Sequence, residues 1–195
     1  WYGPGQSSHY GAILAAGRQG DPAAQKDLVQ LAADVLYPVI VRATALALLG
    51  NYPGPGSNEA LELALMDEEA LIRHVAVENL QLPETAASAR LLANMLQDPV
   101  KGVRIEAANR LAGPLARYLR PEQKVLYDQV LEEYEEAMLY SADFAGSRFN
   151  LGNLYDALDR ADDAIEQYRA AIHIDSQFHP AKYNLALLYN RQGRN

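Results

Sequence analysis

Apolar residues recur at intervals of three and four along most of the chain. Leu28, Leu31, Ala32 and Val35 form one such stripe, and Leu91, Leu92, Met95 and Leu96 form another. A 3.6-residue period gathers these positions on one face of a helix, and strand-type alternation is nearly absent. Prolines and glycines punctuate the stripes. Asp21-Pro22 reads as an N-cap followed by a proline in the first helical turn, and Pro38, Pro83 and Pro99 sit at similar starts. The stretch NYPGPGS over residues 51–57 is the clearest loop, with Ser57 placed to cap the helix that follows. The pattern predicts weaker helices over residues 22–34, 57–66 and 84–97, alternating with three that share a common design.

Those three read VIVRATALALLG, ALIRHVAVENL and KGVRIEAANRLAG. Each has an apolar residue, an arginine, and then small and apolar residues at helical spacing. The arginines are Arg42, Arg73 and Arg104, at intervals of 31 and 31. An aspartate precedes each near a helix junction: Asp34, Asp67 and Asp98. The unit is therefore a helix pair of about 30 residues. Past residue 113 the period changes. Leu151-Gly152-x-x-Tyr155 is followed by Ala164-x-x-x-Tyr168 and Ala171, and Leu185 and Tyr189 repeat Leu151 and Tyr155 at a distance of 34. Upstream, Tyr134 and Ala137 lie 34 before Tyr168 and Ala171.

The Asp–Arg pairs and the apolar stripe behind each arginine (Ala45, Leu46, Leu49; Ala76, Leu80; Ala107, Ala108, Leu111) resemble short HEAT-type repeats. In such stacks the arginine reaches the aspartate of its own or a neighbouring turn. A partly exposed pair of this kind is worth about 0.2–1 kcal/mol. The Leu-Gly-x-x-Tyr pattern resembles the tetratricopeptide signature, present as a half repeat, a full repeat and another half. It departs from that signature at Arg148, where an aromatic is usual, at Asp159, where glycine is usual, and at Ser176, where proline is usual. These resemblances imply an all-α fold, a right-handed α-solenoid of helix pairs. Residues 1–20 would be a lead-in segment, 21–113 HEAT-like repeats and 114–195 tetratricopeptide repeats, with Gly113-Pro114 at the junction.

The order of parts, from WYGPG and HYGAILAAGRQGDPAA to LGNLY and AIEQYRAAI, also resembles the C-terminal half of a bacterial multihaem c-type cytochrome family that carries tetratricopeptide repeats. The resemblance implies a longer parent with covalent haem ahead of Trp1, exported and periplasmic; a cytoplasmic parent is the alternative. There is no cysteine, so no haem-attachment residue carries over and no cofactor is expected in this stretch itself. The first residue is not Met and the last repeat breaks off partway, which leads us to expect a piece of a longer protein.

Composition narrows the function classes. Apolar residues make up 49% and charged residues 22%, an ordinary globular balance. The net charge of −8 disfavours nucleic acid, which requires clustered cations. No run of 18 apolar residues predicts a membrane span, and no signal peptide is legible. Absent cysteine removes disulfides, thiolate metal sites and thiol nucleophiles. His9, His74, His173 and His179 lack close metal-ligand spacing, so no metal site is expected. His9 reads either as a helix-start residue or, with Trp1, as a group packing on a haem of the parent. No nucleophile elbow or phosphate-binding glycine loop occurs, and no catalytic residue is expected. The acidic run Glu132–Glu136 reads as a solvated helix face, or as a patch for a basic partner.

The expected function is non-enzymatic protein or peptide binding, with packing against a haem domain and a purely structural spacer as alternatives. In the tetratricopeptide family the first helix of each repeat lines a peptide groove. The resemblance therefore nominates Asn150, Asn153 and Asn184, with Arg148 and Lys182 nearby, as groove residues. Amide side chains can bond a peptide backbone without reading its sequence. Phe149 and Tyr183 stand where a carboxylate-binding groove would carry lysine. The last helix shows Leu185, Leu188 and Tyr189 without a following partner helix, so it is expected to fray or to pair with a second copy.

Overall fold

The computed structural model describes residues 9–193, and the Trp1 side of the haem-packing reading lies outside them. Among the described residues the chain is all-α, with no strand. Its helices are α1 (Tyr10–Arg18), α2 (Ala24–Ala33), α3 (Val39–Leu49), α4 (Pro55–Ala64), α5 (Ala70–Asn79), α6 (Ala86–Met95), α7 (Lys101–Leu111), α8 (Pro121–Tyr140), α9 (Ala145–Ala157), α10 (Ala161–Ile174) and α11 (His179–Arg191). A single 3₁₀ turn spans Ala116–Tyr118. The chain divides into two compact units. One comprises residues 9–83 and 97–107, the other residues 84–96 and 108–193.

In the first unit each helix packs on its sequence neighbour, and alternate helices also meet: α2 lies beside α4, and α3 beside α5. Two layers result, as in a helical solenoid. The stripe behind each arginine is the core of the second layer. Ala45, Leu46, Leu49, Ala76, Leu80 and Ala107 are at most 1% exposed. Small residues three positions after each arginine let neighbouring helices approach closely. Tyr52, in the loop after α3, is buried, and its hydroxyl lies 3.0 Å from the Gly17 carbonyl and 3.1 Å from that of Asp21, holding the loop against the end of α1.

Some helix starts differ from the sequence reading. Ser57 does not cap α4. The helix begins two residues earlier, at Pro55, and Ser57 is buried inside it, accepting a 2.9 Å hydrogen bond from the Gln25 amide. Proline at the first helical position has no N–H to satisfy, so a side-chain cap is not needed there. α6 starts at Ala86 rather than near Pro83, because Thr85 caps it by accepting from the Ser88 N–H.

The repeated arginines reach forward, to the aspartate of the next repeat. Arg42 pairs with Asp67, and Arg73 donates to both oxygens of Asp98 at 2.6 and 2.9 Å. Both pairs span 25 residues. Each aspartate also accepts from a backbone N–H two residues on, Glu69 for Asp67 and Val100 for Asp98, and so fixes the turn that leads into the next helix. The arginines bond carbonyls as well. Arg42 donates to Ala32, Arg73 to Asp67 and Glu68, and Arg104 to Asp98 and Pro99. Asp34 is exposed and accepts from the Leu36 N–H; no arginine engages it among the described residues. Arg42 and Asp98 are buried, more so than a surface pair.

In the second unit α6 packs on the 3₁₀ turn, and α8 to α11 stack in chain order. The closest pair is α9 with α10. Gly152 makes it possible: a Cβ there would lie 2.6 and 2.7 Å from ring atoms of Tyr168, which is fully buried. Leu151, Tyr155, Ala164 and Ala171 are buried around the same contact. In α11 the burial falls on Ala181 and Leu188, while Leu185 and Tyr189 are half-buried. The turn after α9 puts Asp159 at φ 58°, in the left-handed region. There the Arg160 N–H bonds the Tyr155 carbonyl at 2.8 Å and the Asp159 N–H bonds that of Asp156 at 3.2 Å, closing the helix. This is the position where the repeat pattern wants glycine, and aspartate is among the few other residues that tolerate it.

Two stability predictions follow from these contacts. Burial pushes the Asp98 carboxyl up, but the Arg73 hydrogen bonds, the Val100 N–H and the charges of Arg73 and Arg104 outweigh it and hold the group below its ordinary value. A lowered carboxyl contributes stability above the unfolded pKa, near about 4, and the contribution disappears as pH falls through the folded value. Asp98→Asn is therefore expected to cost about 1.5–3 kcal/mol at neutral pH. The gap to wild type should shrink below about pH 4, as read from urea unfolding at each pH. Gly152→Ala should lower stability by about 1–3 kcal/mol through overpacking against Tyr168, although alanine is the better helix former. A stability equal to or above wild type in the same urea assay would remove the close contact from the account.

Candidate functional site

Helices α9 and α11 are the first helices of successive 34-residue repeats and lie side by side. Their facing polar residues are bonded to one another. The Asn153 side-chain oxygen accepts from the Tyr168 hydroxyl at 2.9 Å and from the Asn184 amide at 2.8 Å. One turn further, Arg191 donates to both oxygens of Asp156, at 2.5 and 2.7 Å. Burial pushes the Tyr168 phenol up, the hydrogen-bonded Asn184 side chain opposes this, and the hydroxyl stays a donor. The hydrogen bonds that Arg191 donates to Asp156, and the charge of that carboxylate, raise the already high pKa of Arg191, so the guanidinium is permanently charged.

The nominated groove residues thus fall into two sets. Asn153 and Asn184 form the fixed frame. Asn150 and Lys182 are exposed and open to a ligand, and Tyr183 beside them is 65% exposed. Arg148 is half-buried and engaged: it donates to the Ala142 carbonyl at 3.0 Å and to the Gln167 side chain at 2.8 Å, tying α9 to α10 and to the preceding turn. Phe149 packs edge-on against Phe178 at 5.4 Å between ring centres and lies 6.0 Å from the Tyr168 ring. Sequence reasoning missed the Asp156–Arg191 pair. Its signal was a complementary charge on the same helix face 35 residues on.

The other candidates resolve as follows. His9 is the N-cap of α1, its ring nitrogen accepting from the Gly11 N–H at 3.1 Å. His74 lies 3.2 Å from the Gly102 carbonyl, and His173 and His179 are exposed. Among the described residues no three His, Asp or Glu side chains gather as a metal site would require, and no helix is long and apolar enough to cross a membrane. Within the acidic run of α8, Glu132 and Glu136 are exposed, while Glu135 pairs with Arg160 at 3.1 Å. A polar hollow of about 480 Å³ is lined by Arg117, Lys124, Tyr127 and Asp159. Burial pushes the Tyr127 phenol up to about 12, so it is neutral across the physiological range.

Asn153→Ala should cost about 1–3 kcal/mol, because it strands the buried Tyr168 hydroxyl. Asn153→Asp, which keeps the acceptor, should recover most of that in a denaturant titration. Comparison with protein-family models and with curated proteins finds no match for this chain.

Proposed function

We propose that this chain is a non-enzymatic protein-interaction scaffold that receives a peptide segment across α9 and α11. The observation that carries this reading is the bonded frame Tyr168–Asn153–Asn184 and Asp156–Arg191. It fixes two adjacent helices, so that the exposed Asn150, Lys182 and Tyr183 are presented on a rigid support. Rigid presentation limits the ordering cost of binding. An amide, a cation and an exposed aromatic ring supply backbone hydrogen bonds, charge and an apolar contact for an extended or helical ligand.

The finer assignments belong to the same proposal. The 31-residue unit, with its forward Arg–Asp pairs, reads as HEAT-type, and the 34-residue unit, with Gly152 against Tyr168, reads as tetratricopeptide-type. The parent reads as an exported, periplasmic multihaem cytochrome-like protein, a reading that rests on the order of parts in the sequence.

A peptide library displayed on phage and selected against the whole chain tests the scaffold reading. Selected peptides are expected to bind in the micromolar range. The double variant Lys182→Ala/Tyr183→Ala, whose side chains are exposed and not needed for folding, should weaken them about tenfold or more. Peptides that bind wild type and the double variant equally, or a selection that enriches none, would count against it.

A further inference from the structure

The face of α9 turned toward α11 supplies a template for a face of α11 itself. Three α9 residues, Phe149, Asn153 and Asp156, are each engaged by the next repeat. The Phe178 ring meets Phe149 at 5.4 Å, the Asn184 amide donates to Asn153 at 2.8 Å, and Arg191 donates to Asp156. On the covering segment Asn184 follows Phe178 by six residues, and Arg191 follows Asn184 by seven. Moved on by one 34-residue period, the three covered positions become Tyr183, Leu187 and Asn190. Among the described residues nothing covers these. Tyr183 is 65% exposed, Leu187 is 43% exposed, and Asn190 is exposed as well.

In stacked helix pairs each unit is closed by contact with its neighbour. The covered α9 face therefore shows the shape of what fits α11: a helix led by an aromatic ring. The α11 residues then say how that helix must differ from α11. Tyr183 keeps an aromatic surface, which takes a second ring edge-on. Leu187 stands where α9 has Asn153, so it calls for an aliphatic side chain; an amide buried there would lack its partner. Asn190 stands where α9 has Asp156, so it calls for a neutral polar group in place of a guanidinium. Lys182, beside Tyr183, is exposed and has no ion-pair partner among the described residues, whereas Arg191 is held by Asp156.

We propose that the Tyr183–Leu187–Asn190 face of α11 binds an amphipathic helix of a partner protein. That helix is led by an aromatic residue, carries an aliphatic residue six positions on, and places a carboxylate beside the aromatic, toward Lys182. The proposal rests on the scaffold reading above and names the class of segment the scaffold receives. A second copy of this chain fits the face poorly. Laid on α11 in the same register, its α9 would set Asn150 on Leu187 and Ala157 on Asn190. Its α11 has no carboxylate for Lys182, and the leading ring of that helix, Phe178, is already seated on Phe149.

The test uses a fluorescein-labelled peptide of about 18 residues on an alanine and glutamine background, which favours a helix. It carries glutamate next to phenylalanine near its start, and leucine six positions after the phenylalanine. Anisotropy is read against the whole chain, and binding in the micromolar range is expected. Alanine for the peptide's phenylalanine, and Tyr183→Ala or Leu187→Ser in the protein, should each weaken binding about tenfold or more. Lysine for the peptide's glutamate should weaken it about threefold. Leu63→Ser, an exposed change in the first unit, should leave it unchanged. Tyr183 and Leu187 are exposed, so circular dichroism of their variants should match wild type. Equal binding without the phenylalanine, or indifference to Leu187→Ser, would overturn the proposal. Phage-selected peptides that need Lys182 and Tyr183, yet lack an aromatic residue and ignore Leu187→Ser, would overturn it and leave the scaffold reading standing. If neither designed nor selected peptides bind, both fall. A dimer in sedimentation that Leu187→Ser abolishes would assign the face to a second copy. Loss of peptide binding in a longer natural chain that continues past Asn195 would assign the face to that chain's own next helix. Either result would overturn the proposal.

Discussion

A guanidinium removed from water must find several acceptors and a negative charge, or the fold that buries it is penalised by several kcal/mol. Arg42, only 6% exposed, meets this condition with one carbonyl from its own helix pair and one carboxylate from the next. Asp67 and Asp98 each answer two demands at once. One oxygen fixes the turn that leads into the following helix, and the carboxylate balances the arginine of the preceding repeat. Helix start, charge balance and the offset between repeats are therefore a single constraint. A slip of one residue in either helix pair would leave an arginine buried beside apolar side chains.

The second unit keeps its register by shape rather than by charge. Gly152 removes a side chain where the Tyr168 ring arrives, and the Tyr168 hydroxyl then finds Asn153. Ionic contacts such as Asp156 with Arg191 sit nearer the surface, where each is worth less. The two units thus solve the same stacking problem by different means. The first depends on carboxylates being ionised, while the second depends on packing and neutral hydrogen bonds.

The helical class, the two periods and the buried stripes could be read in the sequence, because helical periodicity and fixed spacing are properties of one dimension. The arginines and aspartates were visible as a ladder, but not the direction of its rungs, since an aspartate six residues before an arginine competes with one 25 residues after it. Asp34 shows the limit: it stands before Arg42 as the other aspartates stand before their arginines, though two residues further away, and no arginine engages it among the described residues. Ser57 was misplaced because proline and serine both mark helix starts, and only packing against Gln25 decides between them. The groove asparagines were legible as polar positions on first helices. That Asn153 would be consumed by Tyr168, and Arg148 by Gln167, depends on the close approach of α9 and α10.

The equal length of the rungs bears on how such a chain can change over generations. Removing the 31 residues from Glu68 to Asp98 would bring no orphaned charge, since Arg42 would still find Asp67, and Arg104 would inherit the place of Arg73. Inserting a further 31 would be equally tolerated by the pairing. A gain or loss of another length keeps a rung only where a loop absorbs the difference, as the longer turn between Asp34 and Arg42 does; placed inside a helix, it would draw an arginine away from its carboxylate. Whole steps are thus the changes of length that the pairing itself accommodates.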